Sequence, residues 1–207
     1  MTLFYLVRHG ETEWNREGNR YCGRSDISLS DTGKRQAELV SDYLQHTTFD
    51  LLFSSPLQRA LQTCAPIAMN RSQSIEQDER LTEIDFGCWE GVQGKEIGSR
   101  FPSLWNPWLS DPTHVRAGGT GETAAEVFDR MYRFFREQAQ LHPDKLVLAV
   151  GHNTAIRLFI AGILEMPFQH YRRLKKSNAG VTVLEMTESQ VELHHFNMTF
   201  HSLHTTL

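Results

Sequence analysis

Apolar residues along this chain fall into a few short solid blocks separated by longer amphipathic stretches. Leu3-Phe4-Tyr5-Leu6-Val7, Leu51-Leu52-Phe53 and residues 146–150 are apolar throughout, which predicts short buried strands. A further strand is expected near residues 74–77. Between them the apolar spacing becomes helical. Ala37, Val40 and Leu44 share one face of a helix that Ser30 is placed to cap. Ser55-Pro56 opens a second helix to about Met69, with Pro56 as its first helical residue. Val127/Phe128, Met131 and Phe134/Phe135 mark an amphipathic helix over residues 122–140, and another is expected over 154–164. Residues 181–185 and 190–196 read as a C-terminal antiparallel hairpin.

Strands alternating with helices predict an α/β fold: a mostly parallel central sheet with helices on both faces. Residues 81–121 break the rhythm. They hold three of the four tryptophans, seven of the fourteen glycines and three of the seven prolines. This composition predicts a cap or lid: a long connection with short helices, packed over one face. The 207 residues suit one domain with a single sizeable core.

Composition narrows the function classes. The chain is 40% hydrophobic and 22% charged, an ordinary globular balance. A net charge of −4 supplies no global basic field for nucleic acid. Cys22, Cys64 and Cys88 are scattered, with no CxxC pair, which suits a reducing compartment. No apolar run reaches membrane-spanning length, and the first ten residues read as a strand rather than a signal peptide. The expectation is a cytoplasmic protein with no membrane or nucleic-acid partner.

Ligands of parallel α/β sheets sit at the carboxyl ends of the strands. The first strand ends in Arg8-His9-Gly10. The second ends in Ser54-Ser55, with Arg59 in the first turn of the next helix. The strand at 146–150 runs into Gly151-His152-Asn153. Parallel strands bring all three ends to one edge, so two arginines and two histidines converge beside helix starts. Guanidiniums match phosphate oxygens bidentately, and helix N-termini favour anions. The set describes a phosphate pocket. It is no nucleotide P-loop, because GxxxxGK[ST] is absent, and it is a poor metal site, because guanidiniums repel a cation.

LVRHGETEWN, SSPLQRALQT (54–63), LTEIDFGCWEG (81–91), GGTGET (118–123) and AVGHNTAIR (149–157) together resemble the histidine phosphatase superfamily, the phosphoglycerate-mutase-like group. The resemblance spans nearly the whole chain, with its blocks in the family's order. It implies a phosphohistidine enzyme without metal or other cofactor. His9 is the implied nucleophile, Arg8, Arg59 and His152 the implied clamp on the phosphoryl oxygens, and Glu83 the implied proton donor. Asn15 matches a phosphate contact of the family. Asn153 stands next to the second histidine, where many relatives have glycine, and adds a donor. Asn197-Met198-Thr199-Phe200-His201 resembles a closing segment of some phosphatases in the family, which makes His201 a candidate for substrate recognition.

Each of these residues also has a plainer reading. Glu79, Asp85 and Glu90 lie close enough to Glu83 to supply a carboxylate themselves, and only the family match selects Glu83. Trp89, Phe86, Trp105 and Trp108 read as packing within the cap. His194, His195, His201 and His204 have no common zinc spacing and read as a solvated strand end. Arg24 is a candidate carboxylate contact whose plainer reading is a surface residue.

Three functions follow. The EIDFGCWEG form resembles the broad-specificity, phosphoserine and α-ribazole phosphatases, which makes hydrolysis of a small phosphate ester the leading reading. A phosphoglycerate mutase dependent on 2,3-bisphosphoglycerate is the alternative. A catalytically inactive phosphate-binding module is the third. The C-terminal hairpin offers an edge strand on which a homodimer can pair.

Overall fold

A computed structural model describes residues 1–187 and 190–200. The chain opens with strand β1 (Thr2–Arg8), a single helical turn α1 (Glu13–Arg16) and helix α2 (Asp31–Tyr43). The Ser30 hydroxyl caps α2 by accepting from the Gly33 N–H at 3.1 Å. Strand β2 (Leu51–Ser54) leads into helix α3 (Gln58–Met69) and the two-residue strand β3 (Glu76–Gln77). The helix starts two residues later than the Ser-Pro signal predicts. Ser55 still donates its N–H to the Val150 carbonyl, and the first helical N–H, that of Gln58, is taken by Asp26 at 2.7 Å.

The cap carries helices α4 (Gly94–Arg100) and α5 (Pro102–Ser110), with 3₁₀ turns at Glu79–Leu81, Gly87–Trp89 and Ala117–Gly119. Helix α6 (Ala124–Leu141) follows, then strand β4 (Leu146–Gly151), helix α7 (Asn153–Ile163) and the hairpin β5 (Val181–Met186) and β6 (Val191–Met198). Helix α6 begins after Glu122 because Thr123 and Glu126 close a reciprocal capping box. That leaves the Glu122 carboxylate to Arg130.

The sheet order is β3-β2-β4-β1-β5-β6. The first four strands are parallel, and β5 and β6 are antiparallel to their neighbours. Side-chain alternation splits the core in two. Phe4, Leu6, Val147 and Ala149 face α6 and α7, while Val7, Leu52, Leu148 and Val150 face α2 and α3. The helices thus cover both faces, as the alternating pattern predicts.

The cap packs against the α6–α7 side. Ile84, Phe86, Trp89, Ile97 and Trp108 belong to that core, and Trp89 meets Trp105 and Trp108 edge-on, with ring centroids 5.3 and 6.0 Å apart. Burying two indoles and part of a third here fixes the segment that carries Glu83. No helix among the described residues is long and apolar enough to cross a membrane.

Candidate active site

Register delivers the convergence. Arg8 pairs with Gly151 and Ser54 with Val150, so the ends of β1, β2 and β4 are level at one edge of the sheet. There a cavity is lined by Arg8, His9, Asn15, Glu83 and Asn153.

His9 is buried, and its Nδ1 lies 2.6 Å from the Gly10 carbonyl oxygen. A carbonyl only accepts, so Nδ1 carries the proton and Nε2 keeps its lone pair. Burial, followed by the nearby charges of Arg59 and Arg8, holds the imidazole well below its usual range. His9 is therefore a neutral base with a fixed tautomer. Gly10 makes room for a neighbouring helix. A Cβ there would lie 2.5 Å from the Gly33 carbonyl, so the space serves the close approach of α2.

Arg8, next to His9 in the chain, is one of the arginines lining the cavity. Its Nη1 donates to the Lys176 carbonyl, while its Nε is buried with no partner. Burial, partly offset by the charge of Glu83, brings its pKa down to about 10. A guanidinium at a cavity wall is suited to receive an incoming anion. Asn15 presents a second donor. Its Oδ1 accepts from the Thr12 N–H, the Thr12 hydroxyl and Asn178 Nδ2, each at 3.1 Å. The side-chain NH₂ is left for a ligand.

Glu83 is only 3% exposed. Its carboxylate accepts from the N–H groups of Ile84, Thr154 and Ala155 at 3.0, 2.9 and 2.8 Å, the last two at the N-terminus of α7. Asp85 instead binds the Gly87 N–H, and Glu90 binds the backbone of Gly23 and Ser25. Glu79 is exposed. Of the four acids, Glu83 is the one lining the cavity beside His9.

Arg59 and His152 are fully buried behind His9, off the cavity wall. The two imidazole rings are 5.1 Å apart. Arg59 gives Nε to His152 Nδ1, Nη1 to the Ser25 carbonyl, and Nη2 to the Cys22 and Gly23 carbonyls. His152 gives Nε2–H to Ser55 Oγ at 2.8 Å. Asn153 reaches the cavity wall, with a buried Oδ1 that has no protein partner. His201 and His204 lie outside the described residues. Within them, His194 pairs with Glu185 at 3.5 Å on the edge strand, and no group of three or more His, Cys, Asp or Glu is arranged to hold a metal ion. Cys22 also lines the cavity, but burial pushes its thiol up to about 11, which disfavours a thiolate nucleophile.

Sequence reading missed the supports. Asn178 gives Nδ2 to both the His9 carbonyl and Asn15. Thr63 accepts the Gly10 N–H and donates to the Arg59 carbonyl. Arg130 donates to the carbonyls of Arg80, Thr82 and Glu83 and pairs with Glu122 at 2.8 Å. Thr63 lies inside a recognised block. Asn178 and Arg130 carry no spacing signal.

The model of the histidine phosphatase superfamily, branch 1, matches residues 4–199. The chain belongs to this superfamily. Within it, phosphoserine phosphatase 1 of Hydrogenobacter thermophilus is 32% identical over 201 residues, covering 97% of this chain and 94% of that protein. The crystal structure of phosphoserine phosphatase from Entamoeba histolytica in complex with 3-phosphoglyceric acid matches with a TM-score of 0.87 at 32% identity, over 96% of this chain and 98% of that one. Mycobacterial glucosyl-3-phosphoglycerate phosphatase, in its complex with VO₃, matches with a TM-score of 0.85 at 28% identity, over 95% and 99%. The superfamily membership expected from the five sequence blocks and the α/β fold expected from the alternation of strands and helices are both borne out. Among these similar histidine phosphatases the names favour hydrolysis over the mutase alternative.

Proposed function

We propose that the chain is a metal-independent phosphomonoesterase that hydrolyses a small phosphorylated metabolite through a phosphohistidine on His9. The observation that carries this reading is the tautomer of His9. Nδ1–H is committed to Gly10, so the Nε2 lone pair is available in a cavity that the Arg8 cation also lines.

In the first step Nε2 attacks phosphorus and the ester P–O bond breaks. Protonated Glu83 passes its proton to the departing alkoxide, and the alcohol leaves. In the second step the Glu83 carboxylate takes a proton from water as the oxygen attacks phosphorus. The N–P bond breaks, inorganic phosphate leaves, and both residues return to their starting states. Arg8, Asn15 and Asn153 act from the cavity wall on the phosphoryl oxygens. Arg59 and His152 contribute from behind, by charge and by positioning, and His201 remains the tail's candidate contact to the rest of the substrate. Phosphoserine, named for similar proteins, belongs to the substrate class meant here. The cap and sheet act as one domain, and the cytoplasm suits the three unpaired cysteines. Edge strand β6 is the surface for pairing with a second copy.

The test is to incubate the metal-free protein in EDTA with p-nitrophenyl phosphate, follow released phosphate, and weigh the quenched protein. Steady release, with a mass gain of one phosphoryl group that His9→Ala abolishes, is expected. A rate that vanishes in EDTA and returns with added metal would overturn the mechanism.

A further inference from the structure

Four of the five sequence blocks supply a residue to the phosphoryl chemistry above. The block GGTGET at 118–123 supplies none, and none of its residues lines the cavity. Its contacts lie instead with the backbone around Glu83.

Glu122 and Asp85 are joined in both directions. The Glu122 N–H donates to the Asp85 carbonyl at 3.0 Å, and the Asp85 N–H donates to Glu122 Oε2 at 2.9 Å. A Cβ on Gly121 would collide with the Asp85 carbonyl oxygen, so glycine lets the two segments touch. The Glu122 carboxylate also receives Arg130 of α6, whose Nε donates to Oε1 at 2.8 Å and Nη2 to Oε2 at 3.2 Å. The other donors of Arg130 turn to the same stretch of chain. Nη1 donates to the carbonyls of Arg80 and Thr82, each at 2.8 Å, and Nη2 to that of Glu83 at 3.2 Å. Five hydrogen bonds are the full complement of a guanidinium, and Arg130 is only 9% exposed. Arg24 adds a link from the outer side, to Thr82 Oγ1 at 2.6 Å and Glu122 Oε2 at 3.3 Å.

The backbone of residues 80–85 is thus held from α6, while the Glu83 carboxylate is held by the N–H groups of Thr154 and Ala155 on α7. Losing the Arg130 fork would leave up to three carbonyls of this segment unpaired, a cost that favours a shifted backbone. A shift of about 1 Å at a reacting group can cost about 10²-fold in rate.

We infer that Glu122 and Arg130 are positioning residues for Glu83: they fix the backbone from which its carboxyl is aimed, and so govern both of its proton transfers without touching the substrate. The inference rests on the phosphatase reading above and gives the GGTGET block its part in the reaction.

Two esters of similar size test it. p-Nitrophenyl phosphate parts with a phenolate that needs no proton, and p-nitrobenzyl phosphate with an alkoxide that does. kcat/KM reports the steps up to release of the alcohol, and single turnover with excess protein reaches slow variants. Glu122→Gln and Arg130→Lys should each lower kcat/KM for the benzyl ester by about 10²-fold and for the phenyl ester by less than about three-fold. In a Glu83→Gln background the same substitutions should cost the benzyl ester less than about three-fold, because groups that act as a unit do not add. Glu122→Gln keeps the side chain's shape and carries the test if Arg130→Lys does not fold. Equal losses on the two esters, or a full further loss in the Glu83→Gln background, would mark a general structural role and overturn the inference. Parental rates in both variants overturn it as well. A parent protein that cleaves the phenyl ester but not the benzyl ester has no acid to position, which overturns the inference and leaves the phosphohistidine step standing. A parent protein that cleaves neither sinks the phosphatase reading itself.

Discussion

Arg59 and His152 are joined by a hydrogen bond from Nε to Nδ1 of 3.1 Å, and both side chains are fully buried. An arginine only donates, so Nδ1 of His152 must be the unprotonated nitrogen and Nε2 carries the proton that Ser55 accepts. His9 is fixed in the opposite tautomer by the Gly10 carbonyl. Two neutral imidazoles, 5.1 Å apart, are thus held with different nitrogens protonated. The guanidinium sets one tautomer and lends its charge to the other ring.

Arg59→Lys separates those two contributions. Lysine keeps the positive charge but cannot reach His152 and the carbonyls of Cys22, Gly23 and Ser25 together. We expect kcat to fall about 10²–10³-fold, the range for losing one preorganised donor of the transition state. Steady-state kinetics on p-nitrophenyl phosphate checks this. A lysine variant retaining most of its rate would show that charge alone is what matters.

The same pair of histidines ties stability to pH. Burial, followed by the charge of Arg59, lowers the pKa of each well below its unfolded value near 6.5. The folded state then binds fewer protons than the unfolded chain once pH drops below about 6.5. Their contribution is fully present above that value and is lost as pH falls from there towards the folded-state pKa. Thermal unfolding from pH 7.5 to 5 should show Tm falling with acidity. His152→Gln should flatten that dependence by one proton's worth. An unchanged slope in this variant would mean that His152 titrates alike in both states.

Glu83→Gln tests the acid/base assignment through the leaving group. Glutamine preserves a similar shape but cannot relay a proton. p-Nitrophenolate leaves without protonation, so the first step should persist, while water attack on the phosphohistidine loses its base. The expected result is a burst of p-nitrophenol followed by turnover about 10²–10⁴-fold slower than in the parent. Phosphohistidine should then build up on the protein. Slow turnover without a burst would place the role of Glu83 in the first step or in folding.

How far the sequence reached depends on the kind of signal each feature leaves. β1, β2 and β4 were legible as solid apolar runs, and their parallel order placed Arg8, His9, Ser55 and His152 at one edge. Pro56 misled by two residues, because its N1 preference competes with a strand that is still hydrogen-bonding at Ser55. The position of Arg59 in the first turn of a helix suggests a fork open to the ligand. The structure spends most of its donors on three loop carbonyls, and backbone carbonyls have no sequence signature. Glu83 could not be chosen over its acidic neighbours by composition, since what distinguishes it is the open N-terminus of α7, distant in sequence. Arg172 sat in the basic run RRLKK, where the ordinary expectation is a solvated face. Only tertiary packing against Trp105 and Tyr21 places it on the cavity wall.

Lys176 supplies the last prediction. Its ammonium is buried, with one hydrogen bond to Thr182 Oγ1 at 2.7 Å, the face of Phe196 5.7 Å away, and no carboxylate partner among the described residues. Burial, followed by the charge of Arg8, lowers its pKa well below 10.5. The sign follows from proton binding. The unfolded chain holds the lysine proton below about pH 10.4 more readily than the folded one does, so folding is penalised progressively as pH falls from there to the folded-state value. Methionine has similar length and no charge to bury. Lys176→Met should therefore raise stability at pH 7 by about 1–4 kcal/mol, by analogy with buried ion pairs replaced by apolar side chains. Because the Lys176 carbonyl receives Arg8, and the substitution leaves that carbonyl in place, the gain should not come from freeing Arg8. Urea unfolding at pH 7 and pH 9 measures the effect. The advantage of methionine should shrink at the higher pH, and a penalty at both values would show that the Thr182 hydrogen bond outweighs the cost of burial.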